Sequence, residues 1–134
     1  MNIIKTNRRA RQSGTTLIEL SVVIAVILLL ASVLFLGVQG WKAAADRSAA
    51  IVSISSIQKA VRGFQNTNLL NVGAGCDSAN DIAPYFNGTL PTDPSNGGAV
   101  FTYGTTVPAL GALYASSGNA ATMTQLGNIG HANW

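Results

Sequence analysis

Gly14-Thr15-Thr16-Leu17-Ile18-Glu19-Leu20-Ser21-Val22-Val23-Ile24-Ala25-Val26-Ile27-Leu28-Leu29-Leu30 is the stretch on which the reading of the chain turns. The apolar run continues to Val38, and within 17–38 only Glu19, Ser21, Ser32 and Gly37 break it. No residue from Leu20 to Trp41 is charged. About 20 apolar residues suffice to cross a bilayer core as a helix. Inside lipid every backbone N–H and C=O must be paired within the protein, and a lone segment can do this only as a helix. The Val and Ile content lowers helix propensity in water, but lipid overrides that preference.

Before this stretch the chain is polar and basic. Lys5, Arg8, Arg9 and Arg11 precede Gln12-Ser13-Gly14, with no acid among them. Residues 1–14 therefore read as a targeting leader rather than as part of the fold. Lys and Arg beside a span stay on the cytoplasmic side. The formal charge of +3 resides in this leader. Without it, Lys42, Arg47, Lys59 and Arg62 stand against Glu19, Asp46, Asp77, Asp81 and Asp93, a balance of −1. The basic character thus gives no support for nucleic-acid binding. Only 10% of residues are charged and 48% are hydrophobic, whereas a soluble domain carries about 25% charged residues.

After the apolar run the pattern becomes amphipathic. Ile51, Ile54, Ile57, Val61 and Phe64 share one helical face. Lys42 and Asp46 form an i,i+4 pair in the less favourable order. No proline occurs between Gly14 and Pro84. One helix over about residues 16–66 is expected, roughly 75 Å long at 1.5 Å per residue, with Gly37 and Gly40 as its weakest interior points.

Beyond Asn66 the composition shifts to Gly, Ser, Thr, Asn and Ala. A short helical turn is predicted over Ser78–Phe86, with Ser78 and Asp81 as its capping pair, ended by Asn87-Gly88. Residues 91–98 read as turns. Ala99–Tyr103 is the best strand, Val107–Leu110 and Ala112–Ala115 are weaker ones, and Gly118–Trp134 reads as irregular. So small a domain makes a marginal core alone, and the apolar face of residues 51–64 is expected to complete it. The fold class is α+β: a long N-terminal helix, first transmembrane and then amphipathic, packed against a small antiparallel sheet. The divisions are 1–14 leader, 15–40 transmembrane and assembly helix, 41–68 amphipathic continuation, and 69–134 globular domain.

Glu19 is the one acid in the apolar run. A carboxylate there needs a partner. Thr16-Leu17-Ile18-Glu19 fits the capping box S/T-x-x-E, and an acid in the first turn suits the helix dipole. A cut after Gly14 would also place a new amine on Thr15, within a turn of Glu19. In a helical array the acid of one subunit could meet the amine of the next, fixing axial register.

Gly14-Thr15-Thr16-Leu17-Ile18-Glu19-Leu20, after its basic leader, resembles the class III signal of type IV pilins and type II secretion pseudopilins. The resemblance implies cleavage at Gly14–Thr15 by a prepilin peptidase, methylation of the Thr15 amine, and a role for Glu19 in docking into the filament. It implies a homo-oligomeric helical filament, raised from the bacterial inner membrane by an assembly ATPase and an inner-membrane platform. The filament would be periplasmic or at the cell surface and serve adhesion, motility, DNA uptake or secretion. Three positions depart from the family pattern. Thr15 stands where Phe is usual, Leu36 near the place of a helix-breaking proline, and Cys76 alone cannot close a C-terminal disulfide loop.

No catalytic residue, metal site or cofactor is expected. His131 is the only histidine and has no Ser or Asp pattern around it, and the chain has no Gly-rich phosphate loop. Asp77, Asn80 and Asp81 offer oxygens for calcium, but their spacing is not that of an EF-hand. Capping and solvation are their default roles. Cys76 reads as an unpaired thiol, with intermolecular pairing or lipidation as alternatives. Asn87-Gly88-Thr89 fits the N-glycosylation pattern. The competing function is a small binding protein, secreted or anchored by a single span. Ala43-Ala44-Ala45 would supply a signal-peptidase site, although an h-region should be shorter and should not begin with an acid.

Overall fold

The computed structural model describes Gly14 and residues 16–134. The basic cluster, Thr15 and the amine expected there lie outside the described residues. The fold is α+β: one long N-terminal helix, short antiparallel strands and a second, C-terminal helix. Two compact units divide the chain, Met1–Val38 and Gln39–Trp134.

Helix α1 is Leu17–Thr67. Its start is set by Thr16 and its course is uninterrupted at Gly37 and Gly40. Its end is a Schellman motif: the Leu70 N–H donates to Gln65 O at 2.9 Å and the Leu69 N–H to Asn66 O at 3.5 Å. The left-handed position of that motif is usually glycine, but here it is Leu69, at φ 50°. Gln65 reinforces the turn by donating from Nε2 to Leu70 O.

In the first unit every large apolar side chain of α1 is exposed, from 49% at Ile24 to 85% at Leu17. This segment is long and apolar enough to cross a membrane. Its two hydroxyls bond back to the helix, Ser21 to Ile18 O and Ser32 to Leu28 O.

In the second unit α1 supplies half of the core. Ala50, Ile51, Ile54, Ile57, Ala60 and Val61 pack with Cys76, Ile82, Phe101, Val107, Tyr114, Ala115 and Leu126. The expected apolar face is the buried one, with Phe64 at its edge. Strands β1 (Thr92–Asp93) and β2 (Ala99–Val100) pair antiparallel, as do β3 (Thr102–Tyr103) and β4 (Ala115–Ser116). The single strand expected over 99–103 is therefore two, split at buried Phe101, because each half pairs with a different partner. Val107–Leu110 and most of Ala112–Ala115 are not strands. Val107 instead exchanges backbone bonds with Gly73 and Ala74.

Two further expectations are corrected. The turn after Cys76 is a π-helical turn, Ser78–Ile82, followed by a 3₁₀ turn, Ala83–Phe86. Its cap is Asp77 rather than Ser78. Asp77 accepts from Ala79 N, and Asp81 accepts from Asp77 N. The region 118–134 is not wholly irregular, because α2 occupies Ala120–Ile129. Gly127, Asn128 and two threonines hide this helix from propensity. The Asn119 side chain creates it by accepting from Ala121 N at 3.0 Å and Thr122 N at 3.3 Å. Thr122 and Leu126, four apart, then bury one face.

Candidate functional site

The residues at the head of α1 form a complete reciprocal capping box. Glu19 N donates to Thr16 Oγ1 at 3.2 Å, and Thr16 N donates to Glu19 Oε2 at 2.9 Å. The first helical backbone bond, Leu20 N to Thr16 O at 3.1 Å, closes beside them. Two of the N–H groups that a helix start leaves without partners are thereby satisfied. The carboxylate also sits at the positive end of the helix dipole. Glu19 is exposed, and only Oε2 is used among the described residues. Gly14 has open space around it. Thr15, the third residue expected here, lies outside the described residues, so the geometry joins Thr16 to Glu19.

The other candidates are built into the second unit. Cys76 is 2% exposed in the core, which closes its thiol to pairing or lipidation in the folded state. Burial pushes that thiol above its ordinary value, against a lowering contribution from Tyr114. Burial likewise raises the Tyr114 hydroxyl, which donates to Cys76 O at 2.9 Å. Asp77 accepts from Ala79 N and Asn80 Nδ2, and Asp81 Oδ2 accepts from Asp77 N, all local bonds. Among the described residues no three His, Cys, Asp or Glu side chains gather into a metal-binding group. His131 stands near Trp134, with ring centroids 6.1 Å apart.

Two polar clasps escaped the sequence reading. Gln58 and Arg62, one turn apart on α1, hold the segment where strands were expected. Gln58 donates to Ala112 O at 3.0 Å and accepts from Tyr114 N at 2.9 Å. Arg62 donates to the backbone oxygens of Pro108 at 2.7 Å and of Ala109 and Trp134 at 2.9 Å. The helix thus supplies the hydrogen bonds that a neighbouring strand would otherwise give. The signal was present: Gln58 falls at helical spacing between Ile54 and Val61, inside the apolar face. The second clasp is Asp93, fully buried. It accepts from Ser95 N at 3.0 Å, Ser95 Oγ at 2.6 Å and Ser117 Oγ at 2.5 Å. Ser117 Oγ in turn accepts from Asn119 N, next to the cap of α2. A buried carboxylate with hydrogen bonds to both oxygens is a structural group, and here it ties β1 to the start of α2.

The first unit offers an exposed apolar helix headed by a locally capped acid. No protein-family model, curated protein or solved structure matches the chain.

Proposed function

We propose that the chain is a structural subunit of a type IV pilin-like filament. A prepilin peptidase cuts it between Gly14 and Thr15, and it polymerises through residues 15–40. The observation that carries this reading is the Thr16–Glu19 capping box at the head of a helix whose apolar residues from Leu17 to Val38 are all exposed. An apolar surface of that extent calls for lipid or for copies of itself. In this reading the chain resides in the bacterial inner membrane before assembly and in a periplasmic or surface filament afterwards. Its partners are further copies, the peptidase, an assembly ATPase and an inner-membrane platform. The alternative signal-peptidase site at Ala43–Ala45 falls inside continuous helix, which favours the filament reading over a secreted protein.

Mass spectrometry of the mature N-terminus tests the proposal. A chain starting at Thr15 is the expected result, and Gly14→Val should leave full-length precursor in the membrane. A mature chain starting at Asp46, or normal processing of Gly14→Val, overturns it. Glu19→Val should be processed yet fail to enter filaments alone.

A further inference from the structure

The uncharged run ends at Trp41, which is 85% exposed. Trp is enriched at the headgroup level of a membrane. Lys42 follows directly and Arg47 six residues after Trp41, and they line a pocket of about 320 Å³ with Asp46, Ser95, Gly97 and Asn119. Lys42 Nζ is bonded to Asp46 at 3.0 Å. Among the described residues Arg47 has no carboxylate partner. Its Nε donates to Ala43 O at 3.1 Å, which turns the side chain back along the helix on the side of Trp41. By helical rise Arg47 stands about 9 Å past Trp41, and its side chain returns part of that distance. The headgroup zone is roughly 5–8 Å deep on each side of the hydrocarbon. The pocket therefore combines one surplus positive charge with the depth of lipid phosphate.

We infer that this pocket holds the phosphate of an anionic phospholipid headgroup while the chain is in the membrane. Arg47 is the main ligand, Lys42 assists, and Asp46 moderates both. The inference rests on the membrane-spanning part of the filament-subunit reading and is independent of polymerisation. It assigns to residues 42–47 a lipid preference that the apolar run alone would not confer, since hydrocarbon contacts do not distinguish headgroups.

The test uses the full chain in phosphatidylcholine vesicles, carrying traces of spin-labelled phosphatidylglycerol or spin-labelled phosphatidylcholine. Electron paramagnetic resonance reads the fraction of each label held at the protein. A cation near the surface gives about fivefold preference for an anionic lipid, so phosphatidylglycerol should be favoured about fivefold. Arg47→Gln should bring the ratio close to one, and Asp46→Asn should raise it by freeing Lys42. A wild-type ratio near one, or a ratio that Arg47→Gln leaves unchanged, overturns the inference. Displacement of the label by millimolar glycerol phosphate would instead make this a site for free phosphate and overturn the lipid assignment. In a Trp134→Phe background, Trp41 should be quenched by lipids brominated close to the headgroup, in each variant alike. Absence of quenching would remove the membrane boundary at Trp41 and sink the underlying reading as well.

Discussion

Replacing Gln58 by Leu isolates the clasp between α1 and segment 108–114. Gln58 is 2% exposed, and its amide makes one bond as donor and one as acceptor. Leucine fills nearly the same space and makes neither. The two orphaned groups are not equivalent. Ala112 is exposed, so its carbonyl can turn to water, whereas Tyr114 is buried and its N–H cannot. A buried donor left without a partner costs about 1–3 kcal/mol. Burying leucine in place of an amide recovers part of this, so a net loss of about 1–2 kcal/mol is expected. Urea unfolding of the detergent-solubilised chain measures it, with Trp134 fluorescence as probe and Trp41→Phe as background. With a slope of roughly 1 kcal/mol per molar urea, the midpoint should fall by about 1–2 M. Gln58→Glu serves as a companion, because an ionised carboxylate can still accept from Tyr114 N but cannot donate to Ala112 O. It should destabilise more than Leu at neutral pH, since it also buries a charge. A Gln58→Leu midpoint within about 0.3 M of wild type would refute the claim that side chains of α1 replace a missing strand.

Leu69 occupies a left-handed turn at φ 50° with its side chain 90% exposed. Leu69→Gly should stabilise the unit by about 0.5–1 kcal/mol, the strain relieved less the added chain entropy, and thermal melting reads the gain as a rise in Tm. The Cys76 thiol is raised above its ordinary value of 9.0 by burial. The folded state therefore holds a proton that the unfolded state releases. The corresponding stability is full below the unfolded value and is lost as pH rises through it towards the folded one. Melting from about pH 8 to about pH 11 should show a decline that is smaller in Cys76→Ala; an equal decline would assign it to other groups, such as Tyr114, whose hydroxyl is raised in the same direction.

How much of this could be read in advance follows from where each hydrogen bond goes. α1 was legible from Thr16 to its end near Asn66, because a capping box, an apolar run and a 3.6-residue stripe all point to helix. The apolar face at 51, 54, 57, 61 and 64 was legible for the same reason. Of the strands, 99–103 was legible, though as one strand rather than two; the others were not, because each is two residues long and two residues carry no alternation. Helix α2 was obscured by its composition and depends on one side chain, Asn119. The residues that organise the second unit are polar ones, Gln58, Arg62 and Asp93. Their role depends on which carbonyls and amides lie opposite, and that is decided by tertiary structure. Glycine-rich, low-charge sequence of this kind leaves backbone groups without strand partners, and a few buried amides, guanidinium groups and carboxylates must then supply the bonds.

The same accounting bears on Glu19. A capping acid and an assembly acid are often treated as rival descriptions, but they place demands on different atoms. Thr16 N takes Oε2. Oε1 carries no hydrogen bond among the described residues, and Glu19 is exposed. The box fixes the side chain back over the helix start, which reduces the rotamer entropy that any further contact would have to overcome. A capped Glu19 is thus a pre-oriented carboxyl group at the edge of an apolar surface, and the local bond that could be taken to explain it away is what would make it useful to a second chain.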